Sequence, residues 1–369
     1  MATKIPAQRF SRRDFMKTSS LAGGGLLIGF NLFEACKPGA EPPVDLASLN
    51  YNDFNAFIKI ADNGAVTIFS PNPEIGQGVK TSMPMIIAEE LDVAWKDVYV
   101  QQAPLDSQNF TRQVAGGSQS IRFGWDSLRE TGATARQMLV NAAAARWGVD
   151  PSTCSTSEGV ITNAKGETLS YGDVVNEAAT LEIPEDVDLK SPKDYTIIGQ
   201  EIRNVDIDEI ITGKPLFGVD YKKEGMLIAS VLRPPAFGQK LVSVGEAAAR
   251  AVPGVIDVIR FGDKVAVLAG DTWTAMKGKK ALKAEWAADE SLESTDEHHK
   301  ILTGLLDGKS FETLRKDGNV KKAFREADMV LERTYESPFL PHNCMEPMNF
   351  YADVTADRIH LVGPIQTPE

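Results

Sequence analysis

Three stretches hold the residue types that could do chemistry. One is His342–Asn343–Cys344–Met345–Glu346–Pro347, followed at 363–368 by Gly-Pro-Ile-Gln-Thr-Pro. Strand-like runs flank it at 329–335, 350–354 and 359–362, so a His, a Glu and Gln366 fall on loops at strand ends. The other two are Gly-rich loops: Glu74–Ile75–Gly76–Gln77–Gly78, and Ala115 to Ser120 with Gly116, Gly117, Ser118 and Gln119 between them. Each opens a helical run. Glycine lets the backbone approach a ligand closely, and the start of a helix offers unpaired N–H groups. An anion there gains roughly 0.3–1 kcal/mol from the helix dipole. Ser118 and Ser120 either cap their helix or join the amides around a phosphate. The pair of loops favours one phosphate-bearing ligand. Neither fits a P-loop, since no GKS or GKT follows, nor the GxGxxG fingerprint.

Composition excludes other chemistry. The net charge is −12, from 39 basic and 51 acidic residues, which argues against nucleic acid. Cys36, Cys154 and Cys344 have no CxxC spacing and build neither an iron–sulfur cluster nor a four-thiolate zinc site. His298, His299, His342 and His360 have no HExxH spacing. A metal here is expected to be held by something other than protein side chains.

The elements that must position these loops read as follows. Ser11–Arg12–Arg13–Asp14–Phe15–Met16–Lys17 and the apolar run after it match a twin-arginine export signal over 1–36, with a Pro-containing linker at 37–49. Runs 54–60 and 65–70 pair around Asp62–Asn63–Gly64. Then come the first Gly-rich loop, a helix over 79–91, a strand over 98–102, the second Gly-rich loop and an Ala-rich helix over 121–146. A small hairpin turns at Lys165–Gly166, a short helix covers 171–179, and the acidic stretch 181–195 reads as a linker or surface excursion. An α/β unit of mixed order follows: strands at 226–232, 255–261 and 265–269, helices at 245–251 and 272–281.

These motifs together resemble the molybdenum-binding subunit of the xanthine dehydrogenase family, in the motif order of the branch that holds the isoquinoline 1-oxidoreductase β-subunit. Residues 342–347 resemble its HxxMEP segment, 364–368 its glutamine loop, and 74–91 its GQG loop and helix. Ala251–Val252–Pro253–Gly254–Val255 and 265–269 resemble its hammerhead domain. The resemblance implies an α+β fold: a molybdopterin-binding region over 50–205, an inserted α/β hammerhead domain over 213–290, and the start of a second molybdopterin-binding region over 328–369.

It further implies an exported, periplasmic enzyme that oxidises an aldehyde or an N-heterocycle, with water as oxygen source. The cofactor is a molybdenum–pterin, in the cytosine dinucleotide or another form. Gly76, Gln77, Gly78, Gly116, Gly117, Ser118, Gln119, Ser120 and Gln366 are the residues expected to bind it; none ligates the metal directly. Glu346 is expected to pack its own motif. The expected partners are a small subunit with two 2Fe–2S clusters, a cytochrome c and a small-molecule substrate. Membrane association is expected only if Cys36 is lipidated or the signal is retained. The family's catalytic base is a glutamate late in a longer chain, expected beyond residue 369, so that this chain is expected to be a fragment, the product of a truncated gene or one piece of a split subunit. The rival expectations are a non-catalytic periplasmic binding or scaffold protein of the same fold, and an inactive fragment.

Overall fold

The computed structural model describes residues 51–53, 56–110, 112–288, 292–308 and 312–369. The signal-like segment 1–36, its Cys36 and the linker 37–49 lie outside the described residues. The chain divides into two units, 1–205 with 366–369, and 206–365. No helix among the described residues is long and apolar enough to cross a membrane.

The first unit is built on a four-stranded sheet in the order β1 (Tyr51–Asp53), β2 (Ile58–Ala61), β3 (Val66–Ser70) and β4 (Val98–Gln102). Strands β2 and β3 form the expected hairpin, with Gly64 at φ 86° in its turn. Strand β4 lies parallel to β3, which requires a crossover, and helix α1 (Val79–Leu91) supplies it. Its apolar positions Met83, Ile86, Ile87 and Leu91 are all buried. Helix α2 (Ser120–Trp147) packs along α1 with a face of small residues, Gly132, Ala133 and Ala135 among them. That face explains the alanine content: the helices come so close that a Cβ at Gly132 would lie 2.4 Å from the Ile87 carbonyl oxygen. Gly132→Ala therefore costs about 1–3 kcal/mol. A urea midpoint well below that of Gly124→Ala is the expected observation, since Gly124 faces only flexible side-chain ends of Leu128 and Met83.

The small sheet β5 (Ser155–Ser157), β6 (Val160–Thr162) and β7 (Thr168–Ser170) leads into helix α3 (Tyr171–Ala178), which opens with a Ser170/Asp173 capping box. Tyr171 is fully buried and its hydroxyl donates to the Leu91 carbonyl at 2.7 Å. The stretch after α3 has little regular structure, yet it is clamped. The carboxylate of Glu89, buried on α1, accepts the N–H groups of Thr196, Ile197 and Ile198 and the ammonium of Lys190. Its neighbour Glu90, also buried, accepts from Arg129 Nε at 2.7 Å and from the Lys190 N–H at 2.9 Å.

In the second unit, after a short helix α4 (Ile207–Thr212), β8 (Ile228–Leu232) joins a sheet of order β10 (Val255–Phe261), β11 (Lys264–Ala269), β8. Strand β9 (Gln239–Gly245) pairs with β12 (Lys283–Ala288), a pairing that the sequence pattern does not announce. Helices α5 (Ala247–Arg250) and α6 (Thr272–Ala281) accompany these strands. Val258, Val265, Val267, Leu241 and Ala249 make a small core. Beyond it come α7 (Thr295–Leu306), α8 (Val320–Glu326) and the hairpin β13 (Tyr351–Val354) with β14 (Ile359–Val362). No described residue of 292–365 is buried. The strand expected over 329–335 is not formed: Met329, Leu331 and Tyr335 are exposed, and no described strand pairs with the segment. Alternating apolar residues become a strand only when a neighbour takes up their backbone groups.

Candidate functional site

Three loops of the first unit meet around buried amides. Gln113 is 2% exposed. Its Oε1 accepts the Asp106 N–H at 2.7 Å, and its Nε2 donates to the carbonyls of Pro71 at 3.1 Å and Pro104 at 2.8 Å. Asn72, 5% exposed, donates to the Val114 carbonyl at 2.8 Å and to Ser120 Oγ at 2.9 Å. Gln102, from the end of β4, donates to the carbonyls of Ser70 and Asn72. Residues 70–73, 104–106 and 113–120 are thus cross-linked by side chains whose hydrogen-bonding groups are used inside the protein. Such groups cost about 1–3 kcal/mol each when left unpaired in a buried site. Sequence reasoning missed all three amides. The only signal at Asn72 is its place between Pro71 and Pro73, and Gln113 stands in a stretch without periodicity.

The glutamine loop closes on this frame. The Ala115 N–H donates to the Gln366 carbonyl at 2.8 Å, and Gln366 Nε2 donates back to the Ala115 carbonyl at 2.9 Å. The Gln113 N–H donates to the Glu369 carboxylate. Residues 251 positions apart in sequence therefore form one edge. Beside that edge, Gly117 (φ 62°) and Ser118 (φ 54°) adopt the left-handed conformation, which a serine rarely takes. The N–H groups of Gly116, Gly117 and Ser118 donate to no described residue. Gln119 accepts from the Arg112 guanidinium, and Ser120 Oγ is taken by Asn72.

The first Gly-rich loop is arranged differently from the expectation. The Glu74 carboxylate accepts the N–H groups of Gly76 at 2.7 Å, Gly78 at 3.0 Å and Lys80 at 2.9 Å. The unpaired donors expected at the start of α1 are filled by the loop's own anion, which also suits the helix dipole. Gln77 turns back on its neighbours: its Oε1 accepts from the Ile75 N–H at 2.7 Å and its Nε2 donates to Pro73 at 3.0 Å. Gln366 and residues 113–120 are in direct contact, and Asn72 ties the base of the first loop to them. The Gln77 side chain, by contrast, spends these hydrogen bonds within its own loop. In the second unit, the Glu346 carboxylate accepts from the Val219 N–H at 3.0 Å and from Asn349 Nδ2 at 2.8 Å, bonds that reach outside the 342–347 motif.

The sequence pattern of a family described as a molybdopterin cofactor-binding domain matches residues 23–215, just over half of the chain. The chain belongs to that family. It is a molybdopterin-binding subunit of the xanthine dehydrogenase type, from a family of oxidoreductases. It is 28% identical over 366 residues to the membrane-bound aldehyde dehydrogenase [pyrroloquinoline-quinone] of Gluconacetobacter polyoxogenes, covering 93% of this chain and 46% of that one. It is 29% identical over 323 residues to a nicotinate dehydrogenase subunit of Pseudomonas putida, covering 85% and 27%. With the beta subunit of isoquinoline 1-oxidoreductase from Brevundimonas diminuta it shares 28% over 343 residues, 80% of this chain and 43% of that one. The chain therefore spans less than half the length of each. Among solved structures, quinoline 2-oxidoreductase from Pseudomonas putida 86 overlaps 36% of this chain and 17% of its own, at 18% identity and a TM-score of 0.24, too partial to bear on chemistry.

The residues present fit a molybdenum–pterin of the kind this family binds. Such a group presents phosphate and ring oxygens, which need N–H donors. The amides of Gly116, Gly117 and Ser118 and the second amide hydrogen of exposed Gln366 are donors left open among the described residues. The Gly76 and Gly78 amides become donors only if the Glu74 carboxylate moves away from them.

Proposed function

We propose that this chain contributes the molybdenum-binding part of an exported hydroxylase that oxidises an aldehyde or an N-heterocycle. The observation that carries the reading is the pairing of Gln366 with Ala115, which joins the glutamine motif to the open amides of the second Gly-rich loop. Gly116, Gly117 and Ser118 bind the phosphate end of the cofactor through their N–H groups. Gln366, fixed by one hydrogen bond, offers its other amide hydrogen to a polar edge of the cofactor from outside the metal's ligand set. Gln77 and the Glu74 nest shape the opposite rim. When bound, the molybdenum–pterin supplies two-electron oxidation with water as the oxygen source.

The α/β unit over 213–290 is the hammerhead domain in this reading, and 328–369 opens a second cofactor-binding region. The twin-arginine signal takes the folded, loaded protein to the periplasm. Electrons leave through a small subunit with two 2Fe–2S clusters and then a cytochrome c. The relatives' names, an aldehyde dehydrogenase, a nicotinate dehydrogenase and an isoquinoline oxidoreductase, support both substrate classes.

The test is turnover of the assembled enzyme in ¹⁸O-labelled water. Label in the carboxylate or ring-hydroxyl product, with molybdenum present and no quinone extractable, is the expected result. A quinone cofactor, as in the name of the aldehyde dehydrogenase relative, or activity without molybdenum overturns the reading. Gln366→Ala is expected to lower activity or molybdenum occupancy about 10- to 100-fold. The same change should lower stability by only about 0.5–1.5 kcal/mol, because one exposed hydrogen bond is lost.

A further inference from the structure

Helix α6 carries a surface to which the cofactor reading gives no role. Ala275 and Gly278 are its buried positions, and a Cβ at Gly278 would lie 2.6 Å from Val267 and 2.8 Å from Val255. Trp273, Met276, Lys277 and Lys280, at spacings of three and four, form the opposite stripe, and all are exposed. Trp273 is 65% exposed, whereas Trp95, Trp125, Trp147 and Trp286 are partly buried. The Lys277 ammonium lies 5.1 Å from the Trp273 ring centroid. Residues 272–284 hold Lys277, Lys279, Lys280 and Lys283 and no Asp or Glu, in a chain whose net charge is −12. None of these lysines forms an ion pair with a carboxylate among the described residues. The acidic residues on either side, Asp271 and Glu285, bond Thr274 and Ser243.

A single exposed aromatic ring is ordinary, and so is an exposed lysine. Together on one helix face they describe what covers them: a surface that is anionic and takes an indole at its polar–apolar boundary. Protein interfaces are enriched in arginine and depleted in lysine. Every cation of this stretch is lysine, a compact charge that an array of lipid phosphates matches without a fixed geometry. Indole rings settle at the level of the headgroups, and lysine stems lie along apolar surface while their ammonium groups stay in water.

We propose that the face of α6 carrying Trp273, Met276, Lys277 and Lys280 docks the protein onto an anionic lipid surface, a peripheral contact that needs neither Cys36 nor the segment 1–36. One Trp and one Met bury little apolar area, so the contact is reversible and governed by charge. It does not rest on the cofactor reading.

The experiment is co-sedimentation of the full chain with vesicles of equimolar phosphatidylglycerol and phosphatidylcholine, and with vesicles of phosphatidylcholine alone. The wild type is expected to partition onto the anionic vesicles at least tenfold more strongly, and to lose that preference in high salt. Lys277→Gln with Lys280→Gln weakens the partitioning roughly 25-fold, about fivefold for each lysine. Trp273→Ala weakens it roughly tenfold. A brominated lipid in the anionic vesicles quenches the tryptophan emission of the wild type, and Trp273→Phe, which keeps an aromatic ring, removes most of that quenching. The substituted side chains are exposed, so unchanged thermal midpoints are expected to show that the variants fold. Variants that partition like the wild type assign the binding to another part of the chain, the segment 1–36 included, and overturn the proposal. A wild type that leaves the anionic vesicles unbound overturns it as well; Trp273-dependent retention of a co-expressed iron–sulfur subunit would then make this face a protein interface instead.

Discussion

Gln113→Glu empties the cofactor site and lowers the thermal midpoint by roughly 6–12 °C. The amide of Gln113 donates to two carbonyls, Pro71 and Pro104, and accepts one N–H, from Asp106. A carboxylate of the same shape keeps the acceptor and loses both donors. Its charge then faces two carbonyl oxygens in a site that is 2% exposed. Two unpaired buried groups put the loss at about 3 kcal/mol, which for a unit of this size is about 6–12 °C in midpoint. The functional effect is larger than the loss of stability implies. The Gln113 side chain joins the loops at 71 and 104–106 to the segment that carries Gly116–Ser118 and pairs with Gln366, so parting them removes the shared edge. Cofactor content of the purified protein should fall at least tenfold, by an amount on the order of a misplaced outer-sphere group. Differential scanning fluorimetry and molybdenum analysis on the same preparation check both halves. Wild-type metal content with only the midpoint lowered would make Gln113 an ordinary core residue.

Glu89→Gln has the second large effect, and it acts on the fold. The Glu89 carboxyl is held below the usual carboxylate range. Burial is the largest single influence and pushes it up, but hydrogen bonds from the Ile198 and Ile197 N–H groups and from Lys190, with the Lys190 charge, together outweigh it. A carboxyl whose folded pKa is lowered contributes stability that is complete above its unfolded value, 4.5, and is lost as the pH falls through the folded value. The wild type should therefore shed part of its stability on acidification below that value, with cleavage by pepsin appearing first in 181–198. The glutamine variant lacks the charge at every pH. It leaves the three backbone donors sharing one oxygen in place of two, while Lys190 keeps its ion pair with Asp92 at 2.6 Å. A buried donor left short of its partner costs about 1–3 kcal/mol. The variant should be weaker by about that amount at pH 7 and less dependent on pH below 4.5, as read by urea midpoints at pH 7 and below that value. A variant as stable as the wild type at pH 7 would show that the clamp adds nothing to the fold.

The helices were legible because their periodicity is local. Met83, Ile86, Ile87 and Leu91 mark one face of α1, and the run that became α2 reads as helix from its alanines alone. The β2–β3 hairpin was equally open to view, through its Asp-Asn-Gly turn. What was hidden depends on partners far along the chain. Nothing in the sequence joins 181–195 to α1 until Lys190 and Thr196 are seen to bond Glu89, 101 and 107 positions away. Gln113 and Asn72 carry no sequence signal because a buried amide announces itself only through the carbonyls it meets. The strand expected over 329–335 shows the opposite error: its alternation is real, but no described strand lies beside it to complete the ladder. At the site, the Gly-rich loops were recognised as donors, yet which amides stay open depends on where the Glu74 carboxylate folds, and spacing does not tell that.

Backbone amide exchange, compared between the cofactor-loaded and the cofactor-free protein, tests most directly whether one ligand lies among these loops. A shared cradle predicts slowed exchange on loading at Gly116–Ser118 and Thr367, with a smaller change at 75–80, and none at the Glu89 clamp. Loaded protein in which Gly116–Ser118 exchange as fast as in the empty form, with protection elsewhere, would contradict it.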